Sequence, residues 1–130
     1  MQACGAFPAI LLSAVLPMHV AAQEAAIPPE YQGFWGFATG QCTAKDWRKV
    51  NTVHRISSDK TDWWEASCNV KDVARAADEK RVLKVQLSCS GEGEEWTSRE
   101  LWRLVDIDRG RYLIAAIPER SLIQIYRRCE

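Results

Sequence analysis

Charge is absent from the first stretch of this chain. Between Met1 and Ala22 there is no Asp, Glu, Lys or Arg, while all 17 Lys plus Arg and all 17 Asp plus Glu fall later. The alternative, a buried amphiphilic helix of the folded domain, is disfavoured because Pro8 and Pro17 bracket the segment and suit a helix interior poorly. Long apolar runs are also missing. The stretch Ala9 to Leu16 is the apolar core of a secretory signal, too short for a membrane-spanning helix of about 20 residues, and no later run reaches that length. Excess charge of either sign is missing too: the net formal charge is zero. That excludes the basic footprint of a nucleic-acid partner or an anionic membrane surface.

Histidine is scarce. Beyond residue 22 only His54 remains, inside the strand-like Thr52-Val53-His54-Arg55-Ile56, and no serine sits in a nucleophile-elbow context. Catalytic triads are thereby disfavoured, and the expectation is a non-enzymatic protein without a cofactor. Paired Cys-x-x-Cys spacings are absent, which argues against a zinc ribbon. Glu92, Glu94 and Glu95 with Asp106 and Asp108 are read as solvated turn residues rather than metal ligands, because glycines around them supply a hairpin tip.

What is present then organises the rest. Val20-Ala21-Ala22 offers small residues for signal cleavage before Gln23, with slack towards Ala25 or Ala26. The expected organisation is a cleaved signal over 1–22, a flexible leader over 23–30 ending at Pro28-Pro29, and one domain over 31–130. The product is expected to be periplasmic or secreted. Cys4 leaves with the signal, and Cys42, Cys68, Cys89 and Cys129 make an even set of the kind that forms two disulfides in an oxidising compartment. Opposed residues of an antiparallel hairpin have a constant index sum, and joining Cys68 to Cys89 centres the turn on Asp78-Glu79 within a polar stretch. The same register sets Val70 opposite Leu87 and Ala74 opposite Leu83. Cys42 and Cys129 are left as the second bridge, tying the start of the domain to its end.

Strand-like runs cover 34–39, 50–57, 63–73, 81–90, 95–106, 111–117 and 122–129, separated by turn-formers such as Ser58 to Asp62, Gly91 to Glu94 and Asp108-Arg109-Gly110. Leu83, Val85, Leu87 and Cys89 alternate with polar residues, as do Ile123, Ile125 and Cys129 with Gln124 and Arg128. About seven strands with short connections predict an all-β antiparallel meander or small barrel. Over 70–80 a helix competes with the hairpin, since Val70, Val73, Ala74 and Ala77 also match helical spacing; the cysteine register favours the hairpin.

Six tryptophans, Trp35, Trp47, Trp63, Trp64, Trp96 and Trp102, are many for one small domain. Trp63 and Trp64 are adjacent in a strand and must face opposite ways, and Trp102 lies between Leu101 and Arg103. Trp63, Trp64 and Trp102 are therefore the candidate binding surface, since aromatic rings on a rim or in a cavity are common binding material.

Gly33-Phe34-Trp35 resembles the Gly-x-Trp opening of lipocalin-like barrels. The resemblance implies that Trp35 closes the barrel base against an arginine from the end of the sheet, Arg127 or Arg128. Periplasmic inhibitors of the metalloprotease-inhibitor family have a similar opening and size. The wider pattern, Gly-x-Trp, Cys42, Cys68-Asn69-Val70, Cys89 through Trp96 and a terminal Arg128-Cys129, is similar to small exported bacterial proteins of unassigned function. The chain is shorter than a lipocalin and has a further cysteine pair, which argues against a large cavity. The implied role is a binding module for an unknown protein or small ligand, in its most concrete form an inhibitor of an envelope hydrolase. A structural or stress-protective envelope role without a ligand is the alternative.

Overall fold

Alternation of apolar and polar residues gives a strand one dry and one wet face, and in the computed structural model such strands wrap into a barrel. The structure describes residues 22–24, 26–37 and 52–129 together with the single positions 16, 42 and 48. The expected signal segment over 1–22 therefore lies almost wholly outside the described residues, and Trp47 lies outside them too. The strands are β1 (Ala22–Glu24), β2 (Gly33–Phe37), β3 (Val53–Ile56), β4 (Lys60–Trp63), β5 (Ala66–Arg75), β6 (Val82–Gly91), β7 (Glu94–Ile107), β8 (Gly110–Ile117) and β9 (Leu122–Arg128). From β2 onward each pairs antiparallel with its successor, and β9 pairs back onto β2, so eight strands close into an up-and-down barrel. β1 adds to the second half of β5, setting Gln23 opposite Ala74, beyond the stretch that β4 covers.

The expected count of about seven strands is one short of the ring. The run 63–73 is broken where the chain reverses at Trp64-Glu65, and Lys60 and Thr61 belong to β4 rather than to a turn. Another turn precedes it, around Ser58-Asp59, with the Ser57 amide donating to the Lys60 carbonyl at 2.8 Å. No glycine or proline marks the reversal at Trp64-Glu65, which is why the sequence hides it.

Residues 70–80 form the hairpin and not a helix. Cys68 pairs with Cys89 and Val70 with Leu87, as the index sum requires. Beyond Val70 the register slips by one, so Leu83 faces Arg75 and not Ala74. The cause is a bulge at Lys71: the extra residue lets Lys71 and Asp72 both stay exposed while Val73 turns inward at 2 % exposure. Both disulfides, Cys68–Cys89 and Cys42–Cys129, are formed.

Inward side chains of β5, β6, β7 and β8, among them Cys68, Val73, Leu83, Val85, Leu87, Trp102 and Leu113, build one core with Trp35 and Tyr126. β9 has the opposite polarity from its neighbours. Ile123 and Ile125 are exposed, while Gln124, Tyr126 and Arg128 are the more buried residues of the strand.

One end of the barrel is plugged by the segment expected to be a flexible leader. Ile27 is 1 % exposed and its amide donates to the Ser58 carbonyl at 2.9 Å. Pro29–Tyr31 forms a 3-10 turn whose Tyr31 is buried and donates its hydroxyl to the Arg81 carbonyl at 2.9 Å. Glu24 and Glu30 both accept from the Arg75 guanidinium, at 2.8 and 3.0 Å. The apolar Ile27 and Pro28 have a base to cover, which outweighs the mobility that the paired prolines suggest.

At the same end Trp35 is fully buried. The Arg128 guanidinium lies 4.8 Å from its ring centroid and donates to the Glu30 and Gln32 carbonyls at 2.8 Å each. A buried cation needs acceptors and a π face, and it has both. Gly33 adopts φ +130°, and a Cβ there would press on Arg128 Nη1 at 3.4 Å. Arg127 is the wrong candidate for this contact, because it pairs with Gly36 and is exposed.

Candidate functional site

Among the described residues no segment closes the opposite end. There β2, β4, β6 and β8 end and β3, β5, β7 and β9 begin, and inside the mouth is a cavity of about 190 Å³. Drug-sized pockets start near 300 Å³, and this cavity is smaller.

Period two on β7 sets the wall: Trp96, Ser98, Glu100 and Trp102 share its inner face. Trp102 is 3 % exposed, with its ring centroid 6.4 Å from that of Tyr31 in the plug. It is a cavity-lining core residue and not part of an exposed surface, because its neighbours Leu101 and Arg103 take the outer face. Its indole N–H donates to Glu100 Oε2 at 2.6 Å, and the buried Ser98 hydroxyl donates to Glu100 Oε1 at 2.9 Å. Each carboxylate oxygen is thus fixed by one neutral donor.

Across the lumen, β9 supplies Gln124 and Tyr126, with the Tyr126 hydroxyl donating to Gln124 Oε1. Burial, and secondarily the Glu100 charge, pushes the Tyr126 phenol far above its ordinary pKa. β3 supplies His54, whose ring stands perpendicular to Tyr126 at 4.5 Å and edge-on to Trp63 at 6.1 Å. His54 keeps some accessible surface only because it faces the cavity; barrel atoms enclose it otherwise, and this desolvation pulls its pKa down to about 4. It is therefore neutral at ordinary pH. β4 supplies Thr61, a lining residue 2 % exposed, whose hydroxyl is buried without a hydrogen-bond partner.

At the rim, the β4–β5 and β6–β7 turns stand side by side. Trp64 is 52 % exposed, Trp63 and Trp96 are half-buried, and Glu65, Glu92 and Glu94 share the same depression. Hydrogen bonding between the Glu65 and Glu92 carboxyls holds the Glu65 pKa above its usual range. Among the described residues no three His, Cys, Asp or Glu side chains are placed to hold a metal ion, and no helix is long and apolar enough to cross a membrane.

Of the candidates read from the sequence, Trp63 and Trp64 reach the mouth and Trp102 lines the cavity floor, while Trp35 and Arg128 lie at the closed end. His54, Thr61, Ser98, Glu100, Gln124 and Tyr126 were not anticipated as site residues. Glu100 was within reach: once Trp102 is inward, parity places Glu100, Ser98 and Trp96 beside it. Comparison with protein-family models, curated proteins and solved structures finds no match to the chain.

Proposed function

We propose that this chain is a non-enzymatic, exported binding module that takes a small ligand into the mouth of its barrel. One observation carries the reading: a cavity of about 190 Å³ inside the barrel is lined by aromatic rings together with a few polar side chains, His54, Glu100 and Gln124 among them. A mostly apolar cavity with a few placed polar groups is the usual form of a small-molecule site. Export rests on the uncharged segment before Gln23 and on the two disulfides. Cleavage before Gln23 suits the barrel, because it retains Glu24 for Arg75; N-terminal sequencing of the periplasmic product checks it.

A thermal-shift screen of small fragments tests the binding role, run on the mature protein and on Ala115→Leu. Ala115 is 2 % exposed and lines the cavity, so a larger side chain fills it. Fragments that raise the melting temperature of the parent and lose that effect in the variant are the expected outcome. A parent that no fragment stabilises, or hits that act equally on both, would overturn the proposal.

The rim favours inhibition of an envelope hydrolase as a second reading. An exposed tryptophan flanked by carboxylates on two adjoining turns is a rigid contact surface, and rigidity lowers the cost of association. If that reading holds, lysozyme or periplasmic protease activity falls in the presence of the protein and recovers with Trp64→Ala. A purely structural envelope role leaves the lumen without a use.

A further inference from the structure

We infer that the lumen is built for a small organic cation, an ammonium group held between the Glu100 carboxylate and the aromatic wall. This rests on the lumen being the binding site. The cavity is lined by Trp63, Trp96, Trp102, Tyr126 and Phe37, and π faces attract a positive charge when water is excluded. Among the described residues Glu100 is the one carboxylate on that lining, and its two hydrogen-bond partners, Ser98 and Trp102, are neutral donors. Among the described residues it has no ion-pair partner, in contrast to Asp62, Glu24, Glu30 and Asp106, each paired with an arginine. The carboxylate is thus oriented but not neutralised.

The other groups facing it do not supply the missing charge. His54 is neutral because burial disfavours its imidazolium, and Tyr126 and Gln124 hydrogen-bond to each other. Arg120, the cation on the lining among the described residues, is exposed at the mouth. Among the described residues Glu65, Glu92 and Glu94 also stand at the rim, with Arg48 beside Glu65. An inorganic metal ion is a poor fit, since one carboxylate with aromatic neighbours offers too few oxygen ligands. An anion would meet Glu100, and an uncharged ligand would leave it uncompensated.

The test compares choline with its uncharged isostere 3,3-dimethylbutan-1-ol by tryptophan fluorescence titration of the oxidised mature protein, in the parent, Glu100→Gln and Trp63→Leu. Choline is expected to bind the parent at millimolar concentration or below, with the isostere at least tenfold weaker. Glu100→Gln should bring the two affinities within about twofold, and Trp63→Leu should weaken choline by several-fold while leaving the carboxylate in place. If Glu100→Gln does not fold, the parent's ratio of the two affinities decides. Equal affinities in the parent would overturn the cation and leave the lumen as a binding site. No choline binding up to about 50 mM would overturn the cation as well, and the fragment screen then decides the lumen separately.

Discussion

The unpartnered Thr61 hydroxyl costs the barrel stability at any pH, whereas the suppressed protonation of His54 costs it stability only in acid. Replacing Thr61 by Val removes the unpartnered hydroxyl and keeps the shape, so the variant should be more stable in urea by about 1 kcal/mol. A hydroxyl hydrogen-bonded within the fold would give the opposite sign of stability change. For His54 the folded pKa, about 4, lies below the ordinary 6.5. Above pH 6.5 both folded and unfolded states are neutral and the full stability is present. As pH falls through 6.5, the unfolded chain takes up a proton that the folded state refuses, so stability declines until about pH 4. Between pH 7 and 5 the loss should reach about 2 kcal/mol, less to the degree that water in the lumen reaches the ring. His54→Phe keeps the aromatic packing and should flatten that part of the profile in denaturation curves.

At the scale of strands, Gly36 is where sequence and crosslink meet. A Cβ there would stand 3.0 Å from Cys42 Sγ and 3.4 Å from Cys129 Sγ. Gly36→Val should therefore lower the yield of the Cys42–Cys129 bridge and leave Cys68–Cys89 intact, as non-reducing peptide mass spectrometry would record. β6 was legible because its alternation and its two turns agree, and the hairpin from Cys68 to Cys89 followed from one index sum. The bulge at Lys71 was not, since Lys71-Asp72 reads equally well as two solvated residues of a regular strand. β9 misleads for a different reason. Its aliphatic residues face out because Arg128 has to reach Trp35 and Tyr126 has to stack on Phe37, at 5.3 Å between ring centroids. Contacts with the far end of the chain override local hydrophobicity there. The site was the least legible part, because inner-face polar residues such as Glu100 are indistinguishable from solvated ones until the parity of their strand is known.

For the molecule as a whole, the two bridges differ by the length of chain they close. Cys42 and Cys129 are 87 residues apart and Cys68 and Cys89 are 21 apart. In the chain-entropy model the long bridge contributes about 4–5 kcal/mol and the short one about 3 kcal/mol. Cys42→Ser with Cys129→Ser should therefore shift the urea midpoint further than Cys68→Ser with Cys89→Ser, provided the buried short bridge leaves no cavity behind. Replacing Cys68 and Cys89 by Ala and Val separates that packing effect, since both sulfurs lie in the core at 0 and 4 % exposure.

Closure of β9 onto β2 also imposes an order in time. A chain delivered N-terminus first presents β2 with only one of its two partners until the last strand arrives, and Cys42 has to wait for Cys129. Trp35 lacks its arginine lid for the same interval. Until the last strand arrives the base of the barrel therefore lacks both its crosslink and its arginine, and the incomplete sheet exposes apolar surface that favours association.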